Sequence, residues 1–359
     1  MINYSKHYID QDDIDAVVKV LKSDYLTTGP KVKEFEDKLC EYTGYSYCVA
    51  VSSGTAALHA ACYAINIKPD DEVIVPAISF VATANCIKYC GGKPVFADID
   101  PNTLLIDPES IKKLITPKTK AIISMDYAGQ LCDYAAIRKI CDDNKLFFIS
   151  DSCHAFGVIN SITKNQIPDI VCYSFHPVKH ITTGEGGAML TNVSYYFRGQ
   201  YLRNHGRDEG YEAYTIGYNY RMSDIHAALG ISQLKKQLKF QLRRYEIAEK
   251  YHEELKCEKL KQITDRIHVY HLFVIKVKNR YEFQKYMMQN GINCVVHYQP
   301  IYSHTYYSSD YENGIKNCPN TEKIRDHIIS IPIYYSLTDK EQDKIIELIN
   351  KFTEIERSD

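Results

Sequence analysis

The chain has 359 residues, 45% of them hydrophobic and 25% charged, and a formal net charge of −2. These values are typical of a globular protein long enough for two domains and a buried active site. The balanced charge argues against binding to nucleic acid or to an anionic membrane. The N-terminus lacks the apolar core of a signal peptide, and no apolar run approaches the ~20 residues of a membrane span, so we expect a cytoplasmic protein.

Twelve cysteines are scattered between Cys40 and Cys318, and no two of them form a C-x-x-C pair. Zinc sites and disulfide frameworks need tighter clustering than this. The spacing favours small buried thiols in a reducing compartment, and we expect no bound metal.

Short apolar runs alternate with helical patterns over the first two-thirds of the chain. The pattern predicts helices at 55–65, 81–90, 108–115 and 133–143. It predicts strands at 47–54, 71–80, 93–100, 120–127, 146–153 and 169–175. Strands that alternate with helices imply right-handed crossovers and a mostly parallel sheet.

The pattern changes after a long helix predicted at 228–255. The segments that follow are a strand at 268–277, a helix at 281–292, a strand and loop at 293–302, and an amphipathic helix at 340–352. We therefore predict a large domain over residues 1–240 and a smaller C-terminal α/β domain over residues 241–359.

Polar residues follow several predicted strands, at the edge where parallel sheets bind their ligands. Gly54 and Thr55 begin a helix, so the N–H groups there could bind a phosphate or could simply be capped. Asp151 ends a buried strand and could pair with a protonated ring nitrogen, supported by His154, or could cap a following helix. The residues alone leave both alternatives open.

Lys179 lies five residues after Ser174, beyond the end of another predicted strand. The glycines at 184, 186 and 187 follow this lysine, whereas a Walker P-loop places its glycines before the lysine. A surface charge is the alternative role for a lone lysine. Together with a helix N-terminus and a buried aspartate, however, the lysine completes the parts of a pyridoxal phosphate (PLP) site. Phe80 follows another strand and could stack on the cofactor ring.

The chain resembles the DegT-type nucleotide-sugar aminotransferases, which are fold type I PLP enzymes. The motifs that carry the resemblance, in the family's order, include VAVSSGTAALHAA, DEVIVPAISFVATAN, SDSCHAFG, YSFHPVKHITTGEGGAM and GYNYRMSDIHAALG. The resemblance implies an α/β, aspartate-aminotransferase-like fold, with a mostly parallel mixed sheet in the large domain. Pseudaminic-acid-pathway and viosamine-forming enzymes look closest, and Met125-Asp126 replaces the Val-His pair of many relatives.

The resemblance assigns roles to individual residues. Lys179 would hold PLP as a Schiff base, Asp151 would pair with the pyridine nitrogen, and Phe80 would stack on the ring. The other implied cofactor contacts are Gly54, Thr55 and Ser174 at the phosphate, His154 and Gln130 near the ring, and Asn219 at the phosphate of the neighbouring subunit. Residues that could line the substrate are Tyr4, Lys6, Tyr8, Arg221, His297 and Tyr298. The alternative role is aromatic packing for His297 and Tyr298, and a salt bridge for Arg221.

The implied activity moves an amino group from L-glutamate to C4 of a nucleotide-linked, UDP-type, 4-keto-6-deoxyhexose. The product would be a 4-amino-4,6-dideoxy sugar such as UDP-viosamine or its N-acetylated relative, with pyridoxamine phosphate as the intermediate form of the cofactor. A shared active site would require a homodimer. The alternatives are amination at C3 and a non-catalytic PLP-binding regulatory protein. Related dehydratases carry histidine in place of the lysine, and Lys179 argues against that activity.

Overall fold

The computed structural model describes residues 1–158, 166–208 and 211–358. Its main sheet has the strand order β1-β7-β6-β5-β4-β2-β3. Strand β7 is antiparallel to both of its neighbours, and the other neighbouring pairs are parallel. The strands are β1 (Tyr47–Val51), β2 (Glu72–Pro76), β3 (Lys93–Ala97), β4 (Thr119–Met125), β5 (Phe147–Asp151), β6 (Ile170–Ser174) and β7 (Gly187–Thr191). The predicted α/β fold with a mostly parallel mixed sheet is confirmed.

Helix ends are set by local sequence signals. The side chains of Ser53, Asp107, Asp133 and Ser223 each accept a hydrogen bond from the first turn of the helix that follows them. The helices are α1 (Gln11–Leu21), α2 (Pro30–Thr43), α3 (Gly54–Ala64), α4 (Ala82–Tyr89), α5 (Pro108–Leu114), α6 (Tyr134–Asn144), α7 (Tyr195–Arg203), α8 (Asp224–Leu234), α9 (Gln237–Glu254), α10 (Arg280–Gln289), α11 (Tyr311–Asn317), α12 (Pro319–Ile324) and α13 (Asp339–Ser358).

Helices cover both faces of the main sheet. Helices α3, α4 and α7 contribute to the apolar cluster on one face, and α2, α5, α6 and α8 contribute to those on the other. A sheet covered on both sides has strands that are apolar along their length, and Val73, Ile74 and Val75 are all fully buried. Each such side chain stabilises the fold by about 1.5–3 kcal/mol.

A second, antiparallel sheet follows α9. Its strands β8 (Glu258–Lys259), β9 (Phe273–Lys276) and β10 (Ile328–Ile331) lie in the order β10-β9-β8. Helices α9, α10 and α13 pack with this sheet in one apolar cluster, which also takes in Ile2 from the start of the chain. The division into two domains near residue 240 stays a prediction.

Two predicted elements are wrong. The single helix at 228–255 is two helices, α8 and α9, because the chain turns at Lys235 and Lys236. At this turn the Lys236 ammonium pairs with Asp10 and lies 2.9 Å from Asp13 Oδ1. The predicted strand within 293–302 forms only an isolated bridge at Val295, because the chain then crosses to the main sheet, where the Ile301 N–H donates to a carbonyl beyond β2.

No helix within the described ranges is both long enough and apolar enough to cross a membrane.

Candidate active site

The predicted strand-end residues meet at one edge of the main sheet. Gly187, at the amino end of β7, pairs with Val51 at the carboxyl end of β1 and with Ser174 at the carboxyl end of β6. A Cβ atom on Gly187 would lie 2.4 Å from the Ser53 carbonyl oxygen. The absence of a side chain therefore lets the turn before α3 approach β7.

Gly54 begins α3 directly against Ser174. A Cβ atom on Gly54 would lie 2.7 Å from Ser174 Cβ and 3.2 Å from Ser174 Oγ. Ser53 caps the helix, since its Oγ accepts from the Ala56 N–H at 3.1 Å. The first N–H groups of a helix, here those of Gly54 and Thr55, suit an anion. Capping by Ser53 and phosphate binding are therefore compatible at this turn.

Asp151, at the end of β5, is only 2% exposed. Its Oδ2 accepts from Thr83 Oγ1 at 2.7 Å, and its Oδ1 accepts from the Cys153 N–H at 3.2 Å. Ser79 Oγ lies 2.6 Å from Thr83 Oγ1 and extends this chain of hydroxyls. Residues 152–158 form turns rather than a helix, so the alternative that Asp151 caps a helix is wrong.

Thr83 and Ser79 were missed by the sequence analysis. Both lie near the end of β2, and they are four residues apart, across the start of α4. A polar pair at that spacing after a buried strand was the available signal, since residues i and i+4 lie close together where a helix begins.

Lys179 lies in the loop between β6 and β7 and is partly buried. Thr182 Oγ1 donates to the Phe175 carbonyl at 3.0 Å and accepts from the Gly184 N–H at 2.9 Å, which folds the loop tightly. Burial lowers the pKa of the Lys179 amine, and the nearby Cys153 and Asp151 act in the opposite direction. A lowered pKa favours the neutral, nucleophilic amine.

Three aromatic side chains form one wall of the site. His154 is buried, and its Nε2 lies 3.0 Å from the Tyr298 hydroxyl. The Phe80 ring is 5.8 Å from the Tyr298 ring and remains 52% exposed, so it can cover a flat ligand. His297 Nδ1 lies 2.9 Å from Ser330 Oγ, and the His297 ring packs edge-on at 5.0 Å from the Tyr298 ring. Of this predicted pair, Tyr298 is the residue in contact with His154.

The N-terminal segment lies beside the lysine loop. Ser5 Oγ donates to the Val178 carbonyl at 3.3 Å, and Lys6, Tyr8 and Lys179 line one small cavity. The Tyr4 ring packs 5.1 Å from the His297 ring. The Tyr8 ring packs against the rings of Phe240 and Tyr335.

The remaining predicted residues are directed elsewhere. Gln130 is buried, and its Oε1 accepts from the Ile263 N–H at 2.9 Å. The Arg221 guanidinium donates to Asn204 Oδ1 at 2.9 Å. Asn219 is exposed, on a segment that bridges to Asn204. None of these described contacts joins Gln130, Arg221 or Asn219 to Lys179 or Asp151.

The grouped residues fit PLP. A buried carboxylate can hold a protonated pyridine nitrogen, and a neutral amine can take up an aldehyde. A side chain at Gly54 would fill the space beside Ser174. Its absence leaves the N-terminus of α3 open to a phosphate. Bound PLP supplies an electron sink for a carbanion, which no amino-acid side chain provides.

Comparison with known proteins gives matches over nearly the whole chain. Residues 7–350 match the DegT/DnrJ/EryC1/StrS aminotransferase family. The uncharacterized protein MJ1066 of Methanocaldococcus jannaschii is 38% identical over 371 aligned residues, covering 97% of this chain and 95% of that protein.

Solved structures agree. PseC of Helicobacter pylori, an aminotransferase involved in the biosynthesis of pseudoaminic acid, is 32% identical, with a TM-score of 0.90 over 98% of this chain and 99% of its own. Spr1654 of Streptococcus pneumoniae, solved in its PLP form, is 30% identical, with a TM-score of 0.92 over 98% of each chain.

The family match and the structural likeness confirm the resemblance drawn from the sequence motifs, the fold type and the PLP cofactor. They also confirm the class of enzyme. The chain belongs to the DegT/DnrJ/EryC1/StrS aminotransferase family, and it is a PLP-dependent sugar aminotransferase.

Proposed function

We propose that the protein transfers an amino group from L-glutamate to C4 of a UDP-linked 4-keto-6-deoxyhexose. The product would be a 4-amino-4,6-dideoxy sugar such as UDP-viosamine or its N-acetylated relative. The observation that carries this proposal is the likeness to PseC over nearly the whole of both chains.

In this proposal Lys179 has two tasks. Its amine holds the cofactor's aldehyde carbon, and burial favours the neutral form that this bond requires. The same amine would also accept and return the proton of the donor's Cα as a general acid and base. The kinetics should be ping-pong, because the donor product leaves before the sugar binds.

Asp151 keeps a proton on the pyridine nitrogen. The carboxylate is buried, and two donors, Thr83 Oγ1 and the Cys153 N–H, fix its direction. Phe80 and His154 would contact the ring, and Gly54, Thr55 and Ser174 would bind the phosphate.

A panel of sugar substrates tests this function. With glutamate as donor, we expect rapid turnover of UDP-linked 4-keto-6-deoxy sugars, slower turnover of their dTDP-linked counterparts, and an amine at C4 of the product by NMR. Glutamate alone should bleach the cofactor band of the purified enzyme. An amine at C3 would support the C3-aminating alternative, and a yellow protein indifferent to glutamate would support a regulatory role.

We also propose a homodimer whose subunits share each active site. Asn219 is exposed within a segment that also exposes large apolar side chains: Tyr211 is 93% exposed, Tyr214 59% and Ile216 79%. The exposure of several large apolar side chains in one segment supports an interaction site there. In the dimer, Asn219 of each subunit would reach the phosphate bound by the other.

Subunit mixing tests the shared site. Lys179→Ala and Asn219→Ala subunits, each defective alone, should together restore activity, because a hybrid dimer contains one site with both native residues. Random pairing of equal amounts should give about a quarter of the wild-type activity. A mixture no more active than the sum of its parents would contradict the shared site, as would a monomer in sedimentation equilibrium.

A further inference from the structure

Asp126 is a buried carboxylate that the proposed chemistry does not use. It is the first residue after β4 and is fully buried. Three hydroxyl groups converge on its Oδ2: Tyr134 Oη at 2.6 Å, Ser150 Oγ at 2.9 Å and Ser152 Oγ at 2.5 Å. Its Oδ1 accepts from the Cys132 N–H at 3.1 Å. These donors offset part of the cost of burying the carboxylate, and burial still raises the pKa of Asp126.

Two of the three hydroxyls belong to the residues on either side of Asp151. Side chains alternate along a strand, so those of Ser150 and Ser152 point to the face of the sheet opposite to that of Asp151. The Asp126 N–H also donates to the Asp151 carbonyl at 3.1 Å. Asp126 therefore holds the end of β5 at three points: its side chain contacts Ser150 and Ser152 on the face opposite to Asp151, and its backbone N–H continues the β4–β5 ladder.

This hold extends to the Asp151 carboxylate. The carboxylate is directed by Thr83 Oγ1 and by the Cys153 N–H. Cys153 directly follows Ser152, so the bond from Ser152 to Asp126 fixes the peptide that supplies this N–H. The backbone of Ser152 is also held by the neighbouring strand β6, because its N–H donates to the Cys172 carbonyl at 2.9 Å.

We propose that Asp126 is a positioning residue for transamination. From the far face of the sheet it fixes the direction in which Asp151 presents its carboxylate to the pyridine nitrogen of the cofactor. The inference rests on the proposed role of Asp151.

Asp98 provides a matched control. It is the first residue after β3, as Asp126 is after β4, and it is 4% exposed. Its carboxylate accepts from the Asn320 N–H at 2.8 Å, from the Thr321 N–H at 2.9 Å and from Thr321 Oγ1 at 2.8 Å. These partners belong to α12 and its neighbourhood, not to the residues around Asp151. Replacing Asp98 therefore measures only the loss of stability that follows from disrupting a buried hydrogen-bond network.

The experiment compares three holoenzyme variants with the wild type: Asp126→Asn, the double variant Ser150→Ala/Ser152→Ala, and Asp98→Asn. Measured quantities are the cofactor absorption spectrum at fixed pH, kcat, KM for glutamate, and the melting temperature. We expect both variants around Asp126 to lower kcat about tenfold with little change in KM, because small displacements of a catalytic group are costly. Their cofactor band should change in position or intensity. Asp98→Asn should lower only the melting temperature.

The proposal is overturned if the Asp126 and serine variants behave like Asp98→Asn, with lower melting temperatures but a wild-type spectrum and kcat. If Asp126→Asn does not fold, the double serine variant decides, since it keeps the Tyr134 and Cys132 donors to Asp126. Asp151→Asn, measured alongside, separates the two hypotheses. Wild-type turnover in Asp151→Asn refutes the role of Asp151 itself, whereas a large loss there with wild-type serine variants refutes only the positioning role of Asp126.

Discussion

Replacing Lys179 by alanine is expected to abolish measurable transamination, with a loss in kcat of about 10⁴-fold or more. The variant lacks both the amine that holds the cofactor and the group that moves the proton from the donor. Its cofactor should be removable by dialysis, because only the phosphate and ring contacts remain. Steady-state turnover, together with the absorption spectrum before and after dialysis, measures both effects.

Lys139→Ala is the matched control for this substitution. Lys139 is also a lysine near an aspartate, since it lies 2.9 Å from Asp143, but it is exposed on α6. An exposed pair of this kind contributes little to stability, so turnover should be unchanged. Addition of a small primary amine should partly restore the proton transfer in Lys179→Ala and leave Lys139→Ala unaffected. Wild-type turnover in Lys179→Ala would contradict the assignment of the lysine.

Replacing Asp151 by asparagine should lower kcat by about 10²–10³-fold while the cofactor stays bound. Asparagine has the same shape and can still accept from Thr83 Oγ1, so the hydrogen bonds of the site are largely kept. It carries no charge, however, and cannot stabilise a proton on the pyridine nitrogen. A ring that has lost this proton is a poorer electron sink, which slows proton removal from the donor.

The measurement for Asp151→Asn combines kcat with the stoichiometry of bound PLP. Thr83→Val removes the hydroxyl that donates to Asp151 Oδ2 but keeps the carboxylate. It should therefore lower kcat less than Asp151→Asn does. Asp98→Asn, a buried substitution far from these contacts in the hydrogen-bond network, should keep wild-type turnover. Turnover near that of the wild type in Asp151→Asn would show that the carboxylate does not have the proposed role.

The strands and the residues at their ends were predictable because the signals are local. A buried parallel strand is a short apolar run, and Gly54, Asp151 and Ser174 each lie at or just after such a run. Parallel strands place these ends at one edge, so the grouping follows from the chain order alone. These ends also indicated the cofactor, since a lysine amine, a buried carboxylate and a helix N-terminus are together the parts of a PLP site.

The features that were missed depend on distant partners. The break between α8 and α9 occurs where Lys236 reaches Asp10, more than two hundred residues earlier in the chain. Thr83 contacts Asp151 across 68 residues, and nothing in the local sequence around either residue indicates the other. Gln130 was placed by family position, and the hydrogen bond from Ile263 to its side chain could not be read from its surroundings.

The placement of Lys179 between two paired strands has a consequence for the catalytic cycle. Ser174 and Gly187, the ends of its loop, are neighbours in the sheet, so the loop is closed by the β6–β7 ladder. A lysine released from the cofactor is therefore tethered at both ends and keeps a high effective molarity at the cofactor's aldehyde carbon. Its return is an intramolecular capture, and the rate of that capture depends on the length of the loop. Lengthening the segment 175–186 with flexible residues would dilute the amine and would also disturb the Thr182 hydrogen bonds that fold the loop.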